Sequence, residues 1–233
     1  MLTGLVVDRL PLSVDQQVGT SVSAELLRRA RVDEERTALL QTFFQELGID
    51  GSTQLHVIHG DVFNAFALPD NRIIVLSPVF NELDSPEQLT ALLCHEYAHI
   101  KHRHGLRTLG QAMSWGLLAE LFSGGGDGLV QNANMLLQLK NSRYFEYQAD
   151  RTGLELMTTH HIDPNGMVQL LAHMQTIEAG AAEQPSYLST HPDTRDRLAE
   201  IQKATAHPRS IPAMNERLRA LFDKLKEGQV AGN

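Results

Sequence analysis

A single cysteine, Cys94, leaves this chain without an internal disulfide, so it is not a small stapled scaffold and its cysteine usage does not report a redox compartment. Long apolar runs are also missing. The N-terminal stretch MLTGLVVDRLPLSVDQQ contains an apolar segment too short for a secretory signal or a membrane span, which reads as cytoplasmic unless a leader or anchor precedes it. Positive charge is scarce: 20 Lys and Arg face 28 Asp and Glu, a formal net charge of -8. The one local basic cluster runs from Lys101 to Arg107, and that balance argues against a nucleic-acid partner.

The chain does have enough apolar material for a core. With 233 residues, 42% of them hydrophobic, it suits one globular domain over 1–233. Within it we expect N-terminal scaffold helices over 1–50, a catalytic core over 51–204, and a C-terminal helix and tail over 205–233.

The most informative stretch is Ala91 to Gly105, ALLCHEYAHIKHRHG, which contains His95, Glu96 and His99 as H-E-x-x-H. Two histidines four apart on a helix share a face one turn apart, so both imidazoles can reach one tetrahedral Zn²⁺. Glu96 leaves the helix about 100° further round, where a carboxylate can take a proton from a metal-activated water. The surroundings predict the helix: Ser85-Pro86-Glu87-Gln88 reads as an N-cap, a first-turn proline and a capping box. Leu89, Leu92, Leu93 and Ile100 keep helical spacing, and Gly105 reads as the stop. Cys94, next to His95, faces another way and reads as a buried apolar thiol.

Upstream, Ser13 to Arg31 and Asp33 to Leu47 predict helices that pack as scaffold over the H-E-x-x-H helix, the second stopped by Gly48. Leu55 to His59, Phe63 to Leu68 and Arg72 to Leu76 are short β-rich runs divided by turn residues, which predicts a small antiparallel sheet. His56 and His59 read as packed or surface residues. Asn64, Ala65 and Phe66 have two readings, an edge strand that takes substrate as an added strand or an ordinary hairpin with Phe66 in the core. Spacing leaves both open.

Downstream, 106–122 reads as a helix and Ser123 to Gly128, SGGGDG, as a break; the flanking apolar stretches fit a flap, a membrane-touching surface or a buried hairpin. Met113, Trp115 and Met135 imply packing and no cofactor. A third metal ligand is expected on another helix, and NSRYFEYQADRT offers Glu146 and Asp150 four apart on one face. Glu146 can complete the ligand set, and Asp150 can orient a ligand imidazole. Asp163-Pro164 starts a further helix; His160, His161 and His173 have no partner at ligand spacing. Ser189-Thr190-His191-Pro192 precedes a helix carrying Arg197. His191 and Arg197 could reach back to stabilise an oxyanion, although helix capping by Thr190 and surface arginines is the simpler reading of those residues alone.

The ordered set NAFALP, HEYAHIKHRH, SRYFEYQAD and STHP followed by Arg197 closely resembles the HtpX and CAAX-prenyl-endopeptidase family of gluzincin metallopeptidases, especially its soluble periplasmic (BepA-like) and Oma-type branch. The resemblance implies an α+β, predominantly helical, zincin-like fold with a small sheet whose edge strand holds a polypeptide substrate. It further implies one Zn²⁺ per chain on His95, His99 and Glu146, with Glu96 as general base and Asp150 behind a ligand histidine. His191 and Arg197 match the family's residues near the cleft, and His104 matches a histidine the family often carries. His102 is extra, and Asp70-Asn71 replaces the usual glycines after the NAF-x-x-P segment; Asp and Asn tolerate the left-handed angles of such a turn. Relatives' membrane spans imply a periplasmic or membrane-associated setting, with any membrane link carried by a segment outside this chain. The expected activity is endopeptidase cleavage in protein quality control, and the competing expectation is a latent or non-catalytic zinc-containing binding module of the same fold.

Overall fold

The computed structural model describes residues 7, 9–112, 141–180, 190–206 and 213–228. The expected break at Ser123 to Gly128, with Met113, Trp115 and Met135, lies outside the described residues.

The first two helices described in full are α1 (Leu12–Arg29) and α2 (Glu34–Leu47). The second is bounded as its sequence predicts: Asp33 accepts a hydrogen bond from the Arg36 amide, and Gly48 ends the helix at φ 69°. Its apolar face, Leu40, Phe43, Phe44 and Leu47, is buried in the main core.

Three strands follow, β1 (Gln54–Ile58), β2 (Ala65–Leu68) and β3 (Arg72–Leu76). The sheet is mixed rather than antiparallel throughout. β2 and β3 form the expected antiparallel hairpin, with Asn71 in the left-handed region at φ 64°, but β3 then inserts between β1 and β2 and runs parallel to β1. The physical reason lies in β3 itself. Ile73, Ile74 and Val75 form a continuous apolar run with no solvent-compatible face, and all three are fully buried, as a central strand requires. The order β1-β3-β2 leaves β2 on the edge.

The sheet separates two apolar clusters. Leu55, Val57, Ala65, Ile73 and Val75 face the main core with α2. Ile58, Leu68 and Ile74 face the other way, against Val18 and Val22 of α1. The first helix therefore packs on the sheet face opposite the main core, with its closest element β2, and not as scaffold over the H-E-x-x-H helix.

After the short α3 (Val79–Glu82) comes α4 (Pro86–Lys101), whose capping box of Ser85 and Gln88 forms as predicted. Helix α4 is the centre of the molecule: Leu89, Leu92, Leu93, Cys94, His95, Glu96 and His99 are all buried. It stops three residues before the expected Gly105. His102 caps it, Arg103 turns the chain at φ 55°, and α5 (His104–Ala112) begins at once. The remaining described helices are α6 (Arg143–Thr159), α7 (Asn165–Gly180), α8 (Thr194–Thr205) and α9 (Glu216–Glu227). Helix α9 is tied back to α2 by the buried Arg36, whose Nε donates to the Leu225 carbonyl at 2.9 Å. Among the described residues no helix is long and apolar enough to cross a membrane.

Candidate metal centre

Helix α4 presents His95 and His99 one turn apart, with their Nε2 atoms 3.0 Å from each other. Helix α6 lies along α4 and supplies the acidic partners. The two helices can approach because residue 153 has no side chain: a Cβ there would sit 2.9 Å from Met167 Cε and 3.3 Å from the His95 amide nitrogen. Seven residues before that contact, Glu146 places Oε2 3.5 Å from His95 Nε2 and Oε1 3.5 Å from His99 Nε2. His191, just ahead of α8, joins them, with Nδ1 3.1 Å from both Glu146 oxygens and 3.3 Å from His95 Nε2. Each of these four buried residues offers a ligand atom, and the four atoms lie within 4.8 Å of one another.

That geometry fits a small cation. Ligands about 2.0–2.1 Å from a tetrahedral Zn²⁺ stand about 3.3–3.4 Å apart, and the separations here run from 3.0 to 3.5 Å. The protonation states agree with a donor set. Burial holds His99 well below the usual imidazole range, so its lone pair is available. Burial opposes ionisation of Glu146, but His191 and Arg197 outweigh it and keep the carboxylate charged. Burial would also lower His95, yet Asp150 and Glu146 push it up to about 9, so a metal entering here would displace a proton from this ring.

A second layer fixes the imidazoles. Asp150 Oδ1 lies 2.9 Å from His95 Nδ1. Arg197 in turn holds Asp150 through two hydrogen bonds of 2.6 and 2.7 Å, and its third nitrogen sits 2.8 Å from Glu146 Oε2. His104 Nδ1 is 2.9 Å from His99 Nδ1, and its Nε2 is 3.1 Å from Gln148 Oε1. If His99 uses Nε2 as a ligand, its Nδ1–H donates to His104, whose Nε2–H donates to Gln148, and every donor in the relay has an acceptor. Burial pushes the His104 pKa down to about 4, which keeps that ring neutral, and the ring stacks on Phe145 at 4.3 Å.

Glu96 stands apart from the four. Its carboxylate approaches His191 Nε2 at 3.6 Å, both oxygens are buried, and neither has a hydrogen-bond partner among the described residues. Burial raises its pKa. Cys94 is a buried free thiol, pushed up by its surroundings and outside the cluster. His102 points instead to Thr152 Oγ1 at 2.8 Å, and His56, His59, His160, His161 and His173 also lie outside the cluster.

Beside the cluster, no strand pairs with the outer edge of β2 among the described residues. Asn64 and Ala65 are buried and Phe66 is half-buried. A pocket of about 670 Å³, its open mouth included, reaches from β2 to Glu96, His99 and His191.

Sequence reasoning gave no role to three residues that shape this centre. The contact from His104 to His99 is absent from a straight-helix reading, because residues five apart do not share a face. Gln148 carries no signal of its own. Gly153 does carry one, as a lone glycine inside a helical run.

The chain has recognisable relatives. The model of Peptidase family M48 matches residues 30–205. Mitochondrial metalloendopeptidase OMA1 of Schizosaccharomyces pombe is 30% identical over 154 residues, covering 64% of this chain and 46% of that protein. A Protease HtpX homolog of Persephonella marina is 26% identical, covering 82% of this chain and 83% of its own. Beta-barrel assembly-enhancing protease of Yersinia pestis is 22% identical over 92% of this chain and 49% of its own. The chain spans about half the length of the OMA1 relatives it matches, 46% and 52%. With the family model covering residues 30–205 of 233, this chain belongs to Peptidase family M48.

Proposed function

We propose that the protein is a zinc-dependent endopeptidase acting on unfolded or misfolded polypeptides. The observation that carries this is Glu96, a buried carboxylate without a hydrogen-bond partner among the described residues, beside a cluster whose spacing suits a tetrahedral ion. A purely structural metal site has no use for such a group. His95, His99 and Glu146 would hold Zn²⁺, which when bound supplies Lewis-acid polarisation and acidifies water.

The chain's own groups do the rest. Glu96 accepts the proton of the attacking water and returns it to the leaving amine; its raised pKa suits both halves of that transfer. The edge of β2, unpaired among the described residues, takes the substrate backbone as an added strand at Ala65 and Phe66 and at the preceding Asn64, which gives affinity without fixing sequence. Asp150 and His104 hold the two ligand rings. Arg197 we assign to positioning, because its guanidinium is engaged by Asp150 and Glu146. Quality control fits affinity through the backbone, and the relatives include a protein named for enhancing β-barrel assembly.

The test is zinc content together with casein cleavage, for the wild type and Glu96→Gln. About one zinc in each, with cleavage only by the wild type, is the expected result; equal cleavage by both removes Glu96 from the chemistry.

A second reading, latency, is favoured by the position of His191. Its Nδ1 is as close to Glu146 and His95 as a fourth ligand would be, where a water is needed for hydrolysis. His191→Ala separates the two: faster casein cleavage marks His191 as a block, and slower cleavage marks it as an oxyanion donor.

A further inference from the structure

The pocket beside Glu96 has a wall that the family match does not reach. That match begins at residue 30, whereas α1 covers residues 12 to 29. Two anchors fix α1 in place. At the β2–β3 turn, Gly19 packs so closely that a Cβ would lie 2.2 Å from the Asp70 amide nitrogen, and Ser23 Oγ donates to Asp70 Oδ2 at 2.7 Å. Arg72 closes that group by donating to Ser23 Oγ at 2.6 Å. At the end of α4, Arg103 donates to Asp15 Oδ1 at 3.1 Å and to the carbonyls of Val7 and Leu10, both at 2.8 Å.

Between the anchors, Val18 and Val22 are four apart and so share one face of α1. Both line the pocket, opposite Phe66 of β2 and Leu109 of α5, and the pocket continues to Glu96 and His99. The ionisable groups among its described lining residues are Glu96, His99 and His191, all belonging to the site already described. Away from them the described lining carries no charge: Val18, Val22, Phe66, Leu68 and Leu109 are apolar, and Thr108, Asn141 and Thr190 are neutral. A charged substrate side chain would lose hydration there and meet no opposite charge among the described residues.

We infer that this pocket receives one apolar side chain of the polypeptide substrate, at a fixed position next to the scissile bond, and that Val18 and Val22 set its size. The inference rests on the endopeptidase reading for its substrate and deepens that reading by naming what the site selects. It also assigns α1 a part in specificity. The continuity of the pocket with Glu96 ties the occupant to the chain being cut rather than to a separate partner.

The experiment has two readouts. Cleavage sites in a mixture of peptides are mapped by mass spectrometry for the wild type, Val22→Phe, Val18→Phe and Val22→Ala, with circular dichroism and zinc content as checks on folding. The wild type favours Leu, Ile, Met or Phe at one position over Asp or Lys by at least about tenfold, the scale on which an apolar pocket discriminates. The two Phe variants lower kcat/KM for those peptides by about tenfold while those with Ala at that position change much less, and Val22→Ala shifts preference toward Phe over Leu. An unchanged profile in folded, zinc-loaded variants overturns the inference.

The second readout is binding of a fluorescent apolar peptide to Glu96→Gln and to the double variants Glu96→Gln with Val22→Phe and Glu96→Gln with Val22→Ala. If the wild type cuts nothing but Glu96→Gln binds the peptide and the Phe change weakens binding tenfold, the pocket stands and the protease reading falls. No binding to Glu96→Gln overturns the pocket, whatever the wild type cleaves.

Discussion

Gly153 sets how close α6 can come to α4, and replacing it with alanine should loosen the metal centre from a position that touches no metal ligand side chain. The added Cβ would meet Met167 Cε at 2.9 Å, the His95 amide nitrogen at 3.3 Å and the Cys94 carbonyl carbon at 3.4 Å. The methionine tip can swing away, but the two α4 backbone atoms can yield only if the helices part by a few tenths of an ångström. Asp150 lies about 4.5 Å along α6 from Gly153 and Glu146 about 10 Å, at 1.5 Å per residue, so both carboxylates move with the helix. A metal site tolerates errors of about 0.2 Å in its distances.

Stability alone changes little in this case. Alanine gains about 1 kcal/mol of helix propensity over glycine, against about 1–3 kcal/mol for overpacking, so the metal-free variant should lie within about 2 kcal/mol of wild type. Zinc affinity should fall by about tenfold or more, or at least about 1.4 kcal/mol. Competition with a chromophoric chelator measures the affinity, melting in excess chelator measures the metal-free stability, and the exposed Arg151→Ala on the same helix is the control. Wild-type zinc affinity in Gly153→Ala would refute the idea that the spacing of α4 and α6 tunes the site.

Three further predictions concern the surrounding shell. His104→Ala removes the acceptor for His99 Nδ1–H and should weaken zinc by about 10–100-fold, read by the same competition; unchanged affinity would mean that His99 is held by packing alone. Arg197→Met leaves the buried Asp150 carboxylate without its two hydrogen bonds, and urea unfolding should show a loss of about 3–5 kcal/mol; a neutral result would show that the pair contributes no net stability. Calorimetry with and without chelator should show stabilisation by zinc, about 4 kcal/mol at a free concentration 1,000 times Kd, and superimposable melts would argue against binding to the folded state.

Much of this architecture is legible in the sequence where local chemistry decides it. The start of α4 follows from Ser85, Pro86 and Gln88, and the bounds of α2 from Asp33 and Gly48, because a cap depends only on nearby residues. The convergence of His95, His99 and Glu146 could be expected because a metal site would call for that set of residue types. What spacing did not reveal is non-local. Strand order depends on which run must be covered on every side, and the continuous apolar β3 indicated a central place that turn residues alone obscured. The docking of α1 onto the hairpin depends on Gly19 meeting Asp70, a contact between residues with no periodic relation. His104 was hidden because the break at Arg103 re-aims the chain. On a continuous helix, residues 99 and 104 would be about 140° apart around the axis, whereas the left-handed turn brings their Nδ1 atoms to 2.9 Å.

The two anchors of α1 also imply an order of assembly. This helix is made before its partners: Ser23 meets its partner 47 residues later in the chain and Asp15 meets its partner 88 residues later. Until the corner after α4 has been synthesised and folded, α1 has little to dock against, since its own apolar face buries mainly against residues that follow it. A nascent chain that has just completed the H-E-x-x-H helix and the corner after it therefore holds every anchor of α1, while Glu146 and His191 are still to come. The pocket wall at Val18 and Val22 can thus be fixed before the four-residue cluster is complete, so that the means to discriminate among substrates begins to form ahead of the means to hold a cation.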